Sequence, residues 1–394
     1  MESGPGLIAN IVHTSLNPRG GSERLAVAVM QALSELGFDI EFTTFEQPDF
    51  SRLETAYGKS AVSVLRKIKK VHLLQSLDYP EITDQYDLII NTHGDMLPFF
   101  LPWFTKKNAV TYCHFPLAKY LMDSKDPEYI RFLNSTILYN VSRGNVSKKY
   151  LNLAQNAYTH MLRNSTILSN SEFTSRVISK AFGLESTVLS PPVDVDFFRK
   201  DAFLSSLSHD HEKNGIILVI SRFHPSKKIE NAIKIANLLK QCKVGNAMKI
   251  VGNVPPQSQG YFFYLKQMVE YYGLTDYVRF EINVNFNKLL QLMKEAKVYF
   301  HTLPGEPFGI STVEAMSSGL IPVVPDIGGH TEFVPLKYQF HTFREGVKVV
   351  SNALNAPSSE RILISNSVKK YSVRNFIQRF QVIIRNQNLT KIRV

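Results

Sequence analysis

Two glutamates eight positions apart, Glu306 and Glu314, stand in the segment TLPGEPFGISTVEAMSSGLIPVVPDIGGHTEFV that runs from Thr302 to Val334. The spacing separates the carboxylates along the chain. They read as acceptors for the hydroxyls of two different polyols, such as a hexose and a ribose, rather than as a pair sharing one proton. Pro304-Gly305 turns the chain behind an apolar run, Lys297–His301, which reads as a strand. Glu306 sits on the resulting loop. Phe308-Gly309-Ile310 then opens a helix with Ser311 and Thr312 in its first turn. Free backbone N–H groups at such a helix start can hold a phosphate or a sugar hydroxyl, and Gly309 permits close approach. Two glutamates at this distance occur by chance in many chains. The signal lies in the full order of strand, Pro-Gly-Glu, Phe-Gly, helix and Glu, followed by strand Ile321–Val324 and the loop Gly328-Gly329.

A second group, Ser221-Arg222-Phe223-His224-Pro225-Ser226-Lys227-Lys228, follows the candidate strand Ile216–Ile220. Arg222 and Lys227 at the carboxyl end of a strand suit a diphosphate, which Arg grips bidentately and Lys meets with a compact charge. Lys228 reads equally well as a solvent-facing residue. A basic loop by itself is ordinarily a solvated turn, and it is the nearby helix start that favours anion binding here. Asn17-Pro18-Arg19-Gly20-Gly21-Ser22 follows the first strand; Gly20 and Gly21 let a substrate approach the backbone, with Ser22 as the expected helix cap. The dinucleotide fingerprint GxGxxG is absent there. Finally, Cys113-His114-Phe115-Pro116 ends strand Ala109–Cys113 and puts His114 at its carboxyl edge. Cys113 and His114, being adjacent on a strand, point to opposite faces and do not form a thiol–imidazole pair.

These loops need a scaffold, and the apolar pattern supplies it. Short apolar runs alternate with helical patterns almost throughout, which predicts α/β architecture with parallel sheets. Strands are expected at Leu7–His13, Asp39–Phe45, Asp87–Asn91, Ala109–Cys113, Thr166–Asn170 and Ser186–Leu189, with a buried helix over Ser22–Leu36 stopped by Gly37. The pattern restarts at Ile216 with strands Ile216–Ile220, Met248–Val251, Tyr277–Glu281, Lys297–His301 and Ile321–Val324. Helices are expected between them at Ile229–Leu239, Gln257–Tyr272, Asn287–Lys294 and Ser311–Ser318, and an amphipathic helix at Val373–Ile384. The polar stretch SSLSHDHEKNG has linker composition, and its His209-Asp210-His211, lacking a third ligand nearby, reads as a solvated hinge. The expected organisation is therefore an N-terminal Rossmann-like domain over 1–204, a linker over 205–215, a second Rossmann-like domain over 216–372, and a helix over 373–394 that crosses back to the first domain. Two doubly wound domains would face a central cleft lined by the carboxyl ends of their strands.

Composition agrees. A length of 394 residues favours two or three domains, and 44% hydrophobic with 20% charged residues excludes disorder and a coiled coil. With only Cys113 and Cys242 there is neither a disulfide framework nor a multi-cysteine zinc site. The net charge of +11 points to an anionic partner. The N-terminus has no basic leader, and the longest uncharged apolar stretch, Met96–Thr105, is too short to span a bilayer and holds Pro98 and Pro102. The chain thus reads as cytoplasmic. Its five Asn-x-Ser/Thr sequons, at Asn134, Asn140, Asn145, Asn164 and Asn388, read as chance matches.

Together these residues resemble the retaining GT-B glycosyltransferases of family 4. The resemblance covers nearly the whole chain: Gly20-Gly21, Ser169-Asn170-Ser171-Glu172-Phe173, Pro191-Pro192-Val193-Asp194, Arg222 with Lys227, and the specific Glu306-to-Glu314 motif. Met96–Met122, with His114-Phe115-Pro116, and Gly319-Leu320-Ile321 look more narrowly like the α-1,2-mannosyltransferases of dolichol-linked oligosaccharide assembly. The resemblance implies a nucleotide-sugar donor, GDP-mannose first and UDP-hexoses second, and a glycan or polyprenyl-linked acceptor. It implies that Arg222 and Lys227 bind the donor diphosphate while amides around Phe308, Gly309 and Ile310 hold phosphate and sugar. Glu306 would contact the transferred hexose, Glu314 the ribose and His114 the reacting sugar, with Gly20 and Gly21 shaping the donor or acceptor site. It implies no cofactor and no bound metal.

The physics fits such a transfer: cleavage builds negative charge on the leaving diphosphate, and fixed cations and amides stabilise it. On the acceptor side, Met96–Lys107 joins Phe99, Phe100, Trp103 and Phe104 to Lys106 and Lys107, while Leu65–Leu74 mixes Arg66, Lys67, Lys69 and Lys70 with Leu65, Ile68, Val71 and Leu74. Both read as surfaces for peripheral contact with an anionic membrane on its cytoplasmic face, against the alternative that Phe99, Phe100, Trp103 and Phe104 pack inside the N-terminal domain. The rivals are a non-catalytic sugar-nucleotide-binding protein and a nucleic-acid binder. The first has no use for the whole Glu306, Glu314, Arg222 and Lys227 set; the second lacks a recognition helix or aromatic platform, so no nucleic-acid partner is expected.

Overall fold

The structure is a computed structural model that describes residues 6–18, 20–74, 86–93, 108–116, 156, 158–200 and 215–387. It divides into two units, Met1–Pro192 with Val373–Val394, and Val193–Ser372. In the first, β1 (Ile8–Val12), β2 (Asp39–Thr44), β3 (Lys70–Leu73), β4 (Leu88–Asn91), β5 (Ala109–Cys113), β6 (Thr166–Ser169) and β7 (Thr187–Val188) form a parallel sheet in the order β3-β2-β1-β4-β5-β6-β7. Every residue of β4 and β5 is buried. That is why these runs lack apolar–polar alternation: a parallel sheet is covered on both faces. Leu25, Val29 and Leu33 of helix Gly21–Glu35 cover one face, joining Phe376, Phe380 and Ile384 of helix Val373–Arg385 in one core. The C-terminal helix is held there by Gln381, which donates to the Ala32 carbonyl (3.2 Å) and to Glu35 (2.9 Å).

Two readings are corrected in this unit, and a third is narrowed. In Leu65–Leu74, helix Phe50–Leu65 ends and β3 follows as the edge strand, with Arg66, Lys67, Lys69, Lys70 and Leu73 exposed. Leu65 and Leu74 are buried and Ile68 and Val71 pack on the core, while Lys69 pairs with Asp39 (2.5 Å) and Arg66 with Glu54 (3.3 Å). The cap of the first helix is Gly20, not Ser22, which lies in its first turn. The first domain ends at Pro192 rather than at 204, because Val193, Val195 and Phe198 are buried in the cores of the second unit. Polar composition marked the linker, whereas burial decides the boundary. Met96–Lys107, residues 205–214 and the sequons at Asn134, Asn140, Asn145 and Asn388 lie outside the described residues.

The second unit carries β8 (Ile216–Ile220), β9 (Ala247–Gly252), β10 (Val278–Ile282), β11 (Val298–Phe300), β12 (Ile321–Pro325) and β13 (Gln339–Phe340), parallel in the order β10-β9-β8-β11-β12-β13. Helices Glu230–Gln241 and Phe343–Leu354 bury Ile233, Ala236, Val347 and Val350 against Ile217, Val219, Phe300 and Val323. The strand order reverses between β8 and β11, so the chain leaves the carboxyl ends of two neighbouring strands in divergent directions. Ligands of doubly wound sheets bind at such a reversal. No helix among the described residues is long and apolar enough to cross a membrane.

Gly252 ends β9 under the loop that follows β8. A Cβ there would lie 1.8 Å from the Ser221 carbonyl oxygen, a backbone atom with nowhere to move. Gly252→Ala is therefore expected to cost at least ~1–3 kcal/mol of overpacking, read as a lowered urea midpoint. An unchanged midpoint would show that the two loops are free to separate.

Candidate active site

The loop after β8 is fixed at both ends. Ser221 donates to Val251 O (3.0 Å), Phe223 to Asn253 O (2.9 Å), and the Phe223 ring is buried against Phe262 and Phe280. Pro225–Lys227 then makes a single 3₁₀ turn whose N-cap is His224, the ring accepting from Ser226 N. This turn aims Lys227 back across the sheet edge at the loop after β11. Lys227 Nζ lies 3.0 Å from Glu306 Oε2, Thr302 donates its hydroxyl to Lys227 O (2.7 Å), and Asn231 donates to Thr302 O (3.0 Å). Three bonds thus tie the two loops flanking the strand-order reversal. Arg222, on the same loop, is exposed, and its backbone carbonyl accepts from His224 N (2.8 Å). Burial, then the charges of Arg222 and Lys227, lowers the His224 pKa, which places all three in one electrostatic environment.

The Glu306 backbone is held by the loop after β12. Gly305 donates to Ile327 O and Gly329 to Glu306 O, each at 2.8 Å, and Glu306 pairs with Gly328 in an isolated bridge. Gly328 has φ 130°, and a Cβ on it would meet Glu306 O at 2.7 Å, so only glycine allows this approach. Burial alone would raise the Glu306 carboxyl; the Lys227 charge and the hydrogen bonding and charge of His301 outweigh it and hold the group well below the ordinary carboxylate range. Glu306 is therefore ionised at neutral pH. Helix Ile310–Ser317 starts after Gly309, which caps it in the left-handed region at φ 97°. The Phe308 ring is a core anchor packed on Phe333 and Tyr371, leaving its backbone as the part available to a ligand. At the far end of the helix, buried Arg361 donates to Gly319 O (2.7 Å) and Ser365 to Ser317 O (2.9 Å). Glu314 is half-buried one turn inside the helix, and the Tyr299 hydroxyl, raised by burial, is raised further by the charges of Glu306 and Glu314.

In the first unit the strand order reverses between β1 and β4. The Glu23 carboxylate accepts from Gly20 N (2.6 Å) and Ser22 Oγ (2.8 Å), fixing the Gly20-Gly21 turn, and lies 3.6 Å from the buried His13 ring. Burial raises its carboxyl, but hydrogen bonding and charge from His13 leave it below the usual value. His13 meets Thr92 Oγ1 (3.0 Å), and His114 donates from Nε2 to the Thr92 carbonyl (2.9 Å). Burial lowers the His114 pKa to about 4, so this imidazole is neutral with Nδ1 as an acceptor.

Thus Lys227 and Glu306 meet beside the Phe308–Ile310 turn within the second unit, while in the first Gly20 is linked to His114 only through Glu23, His13 and Thr92. Glu23, His13, His301, Tyr299 and His330 belong to these sites without a motif that marks them as site residues. Glu23 had a visible signal, standing three residues after Gly20 as a capping glutamate does. His301 was read only as the end of a strand.

Residues 205–356, which include Arg222, Lys227, Glu306 and Glu314, match the model of the family described as Glycosyl transferases group 1. Over 96% of its length the chain superposes on all of Anabaena Alr3699/HepE, solved in complex with UDP and glucose, with a TM-score of 0.68 at 18% identity. It also covers 99% of WaaG, a glycosyltransferase involved in lipopolysaccharide biosynthesis, with a TM-score of 0.64 at 14% identity. The architecture is therefore GT-B, with two Rossmann-like domains. In sequence, 161 residues are 32% identical to the GDP-Man:Man(3)GlcNAc(2)-PP-Dol alpha-1,2-mannosyltransferase of Dictyostelium discoideum, covering 39% of this chain. The human protein of that name is 21% identical over 95% of this chain and 85% of its own length. The chain spans 31% of the Dictyostelium protein, 59% of the Neurospora crassa one and 46% of the Mus musculus one.

Because the Glu306 carboxyl binds protons more weakly folded than unfolded, its contribution to stability is complete above about pH 5 and fades as pH falls below about 4. The wild-type minus Glu306→Gln difference in unfolding free energy should then be largest at neutral pH and shrink by pH 3. A difference constant over that range, measured by urea unfolding at each pH, would contradict the ionised, paired state.

Proposed function

We propose that the chain is a retaining glycosyltransferase that moves mannose from GDP-mannose onto a lipid-linked oligosaccharide. The observation that carries this reading is the contact of Lys227 with Glu306 at the β8–β11 reversal, in the segment that matches the glycosyltransferase family, with Arg222 exposed on the same loop. The names of the relatives supply the donor, GDP-mannose, and the dolichol-diphosphate-linked acceptor.

In this reading the second unit binds the donor. Arg222 and Lys227 take the diphosphate, replacing the partner Lys227 now has in Glu306. The amides at Phe308, Gly309 and Ile310 add donors to phosphate and sugar. Glu306, ionised, accepts from hydroxyls of the hexose, and Glu314 from the ribose. As the bond from the anomeric carbon to the diphosphate breaks, its electron pair goes to the diphosphate oxygen, where the two cations stabilise it, while an acceptor hydroxyl oxygen bonds to the anomeric carbon and its proton leaves with the diphosphate. The acceptor belongs to the first unit, with Gly20-Gly21 as the close-approach turn and neutral His114 offering a hydrogen bond to a sugar hydroxyl.

A preorganised charge of this kind contributes on the order of 3 kcal/mol to the transition state. Arg222→Ala and Lys227→Ala are each expected to lower mannose transfer at least tenfold. A thermal-shift screen with GDP-mannose, UDP-glucose and UDP-N-acetylglucosamine tests the donor, since a ligand bound to the folded state raises its melting temperature. Stabilisation by GDP-mannose above the others is expected; wild-type turnover in either variant, or no response to any nucleotide sugar, overturns the reading.

A further inference from the structure

His301 stands at the end of β11, its backbone N–H donating to Val323 O (2.9 Å). Strand alternation sends Phe300 into the core, stacked on Phe340, and turns Tyr299 and His301 to the other side of the sheet. There the Tyr299 hydroxyl bridges Ser311 Oγ and His301 Nδ1, each at 2.9 Å, and both rings are buried. The remaining nitrogen, Nε2, lies 3.4 Å from Glu306 Oε2. Lys227 Nζ approaches the same oxygen. Both neighbours therefore crowd Oε2, and Oε1 has none among the described residues. A neighbouring ring, His330, is 5.2 Å away between centroids. Burial, then His301, lowers its pKa to about 3, and its Nε2 donates to Pro325 O (2.8 Å), so it brings no charge to compete for the carboxylate.

We propose that His301 is a positioning residue: anchored through Tyr299 to the start of helix Ile310–Ser317, it holds Oε2 of Glu306 and presents Oε1 to a hydroxyl of the transferred sugar. The role deepens the donor reading above and rests on it. It also makes a distinction that packing alone does not. When a diphosphate draws Lys227 away, His301 is the partner that remains on Oε2, so the carboxylate keeps its orientation while the sugar is read. Losing His301 should then affect recognition of the sugar and spare recognition of the nucleotide.

The experiment compares GDP and GDP-mannose affinities by calorimetry, and mannose transfer, in the full chain carrying His301→Leu or His301→Gln. His301→Leu removes the donor at similar volume; His301→Gln keeps an amide N–H within reach of Glu306. His301→Leu is expected to bind GDP within twofold of wild type, to lose at least fivefold of the preference for GDP-mannose over GDP, and to transfer at least tenfold more slowly. His301→Gln should recover most of both losses. If His301→Leu does not fold, His301→Asn, whose amide reaches Tyr299 but not Glu306, replaces it with the same expectations. Equal weakening of GDP and GDP-mannose would mark His301 as merely structural, and an unchanged preference would likewise reject the proposal. A wild-type chain that binds GDP-mannose no better than GDP removes the donor reading and this proposal together; a wild-type preference untouched by substitution removes this proposal alone.

Discussion

The ion pair between Lys227 and Glu306 is the contact on which the second unit's functional edge depends. It spans 79 positions of sequence, yet it closes at 3.0 Å because β8 and β11 are neighbours in a sheet whose order reverses between them. A half-buried pair of this kind gains little net stability, since each charge gives up water. Its value lies in what it specifies. Removing Glu306 would leave the Lys227 charge partly buried without that partner, which favours one geometry for both loops.

That geometry is enforced from outside the pair. Gly252 lets the loop after β8 press on β9, Gly328 lets the loop after β12 press on Glu306, and Gly309 opens the helix in the left-handed region. Each is a position where any side chain would collide or strain. Behind them stand buried anchors with no chemistry of their own: Phe223, Phe308 and Arg361. Arg361 at the carboxyl end of helix Ile310–Ser317 also sets a cation where the helix dipole is negative, reinforcing the charge order that leaves its amino end open to an anion.

Much of this was legible in the residues. β-branched runs without alternation gave the parallel strands, and Pro-Gly-Glu before Phe-Gly placed the loop and helix start of the second unit within a residue or two. The amphipathic run of the C-terminal helix was equally plain. What escaped reading did so for physical reasons. β3 and β13 are edge strands of four and two residues, too short for a period to show. Helix Phe343–Leu354 is the exception, since both the Thr342–Glu345 capping box and the three-residue spacing of Val347, Val350 and Ala353 mark it in the sequence. In Leu65–Leu74, basic residues beside leucines look alike at a membrane surface and at a sheet edge, so the pattern did not show that Leu65 and Leu74 are buried. Glu306 was read from its neighbours in sequence, but its partners Lys227 and His301 are set by strand order, which the sequence leaves open until the sheet forms.

One histidine in each unit is held in the same way. His114 and His330 each donate Nε2–H to a backbone carbonyl, and burial lowers the pKa of both. Each is thereby held neutral in one tautomer, with Nδ1 left as an acceptor. Such rings offer hydrogen-bond acceptors without adding charge, and the Lys227–Glu306 pair supplies charge beside the reversal in the second unit. Fixed charge of this kind suits the donor reading, in which cations stabilise a developing anion, and it differs from sites built to exchange protons, where an imidazole is poised close to the working pH.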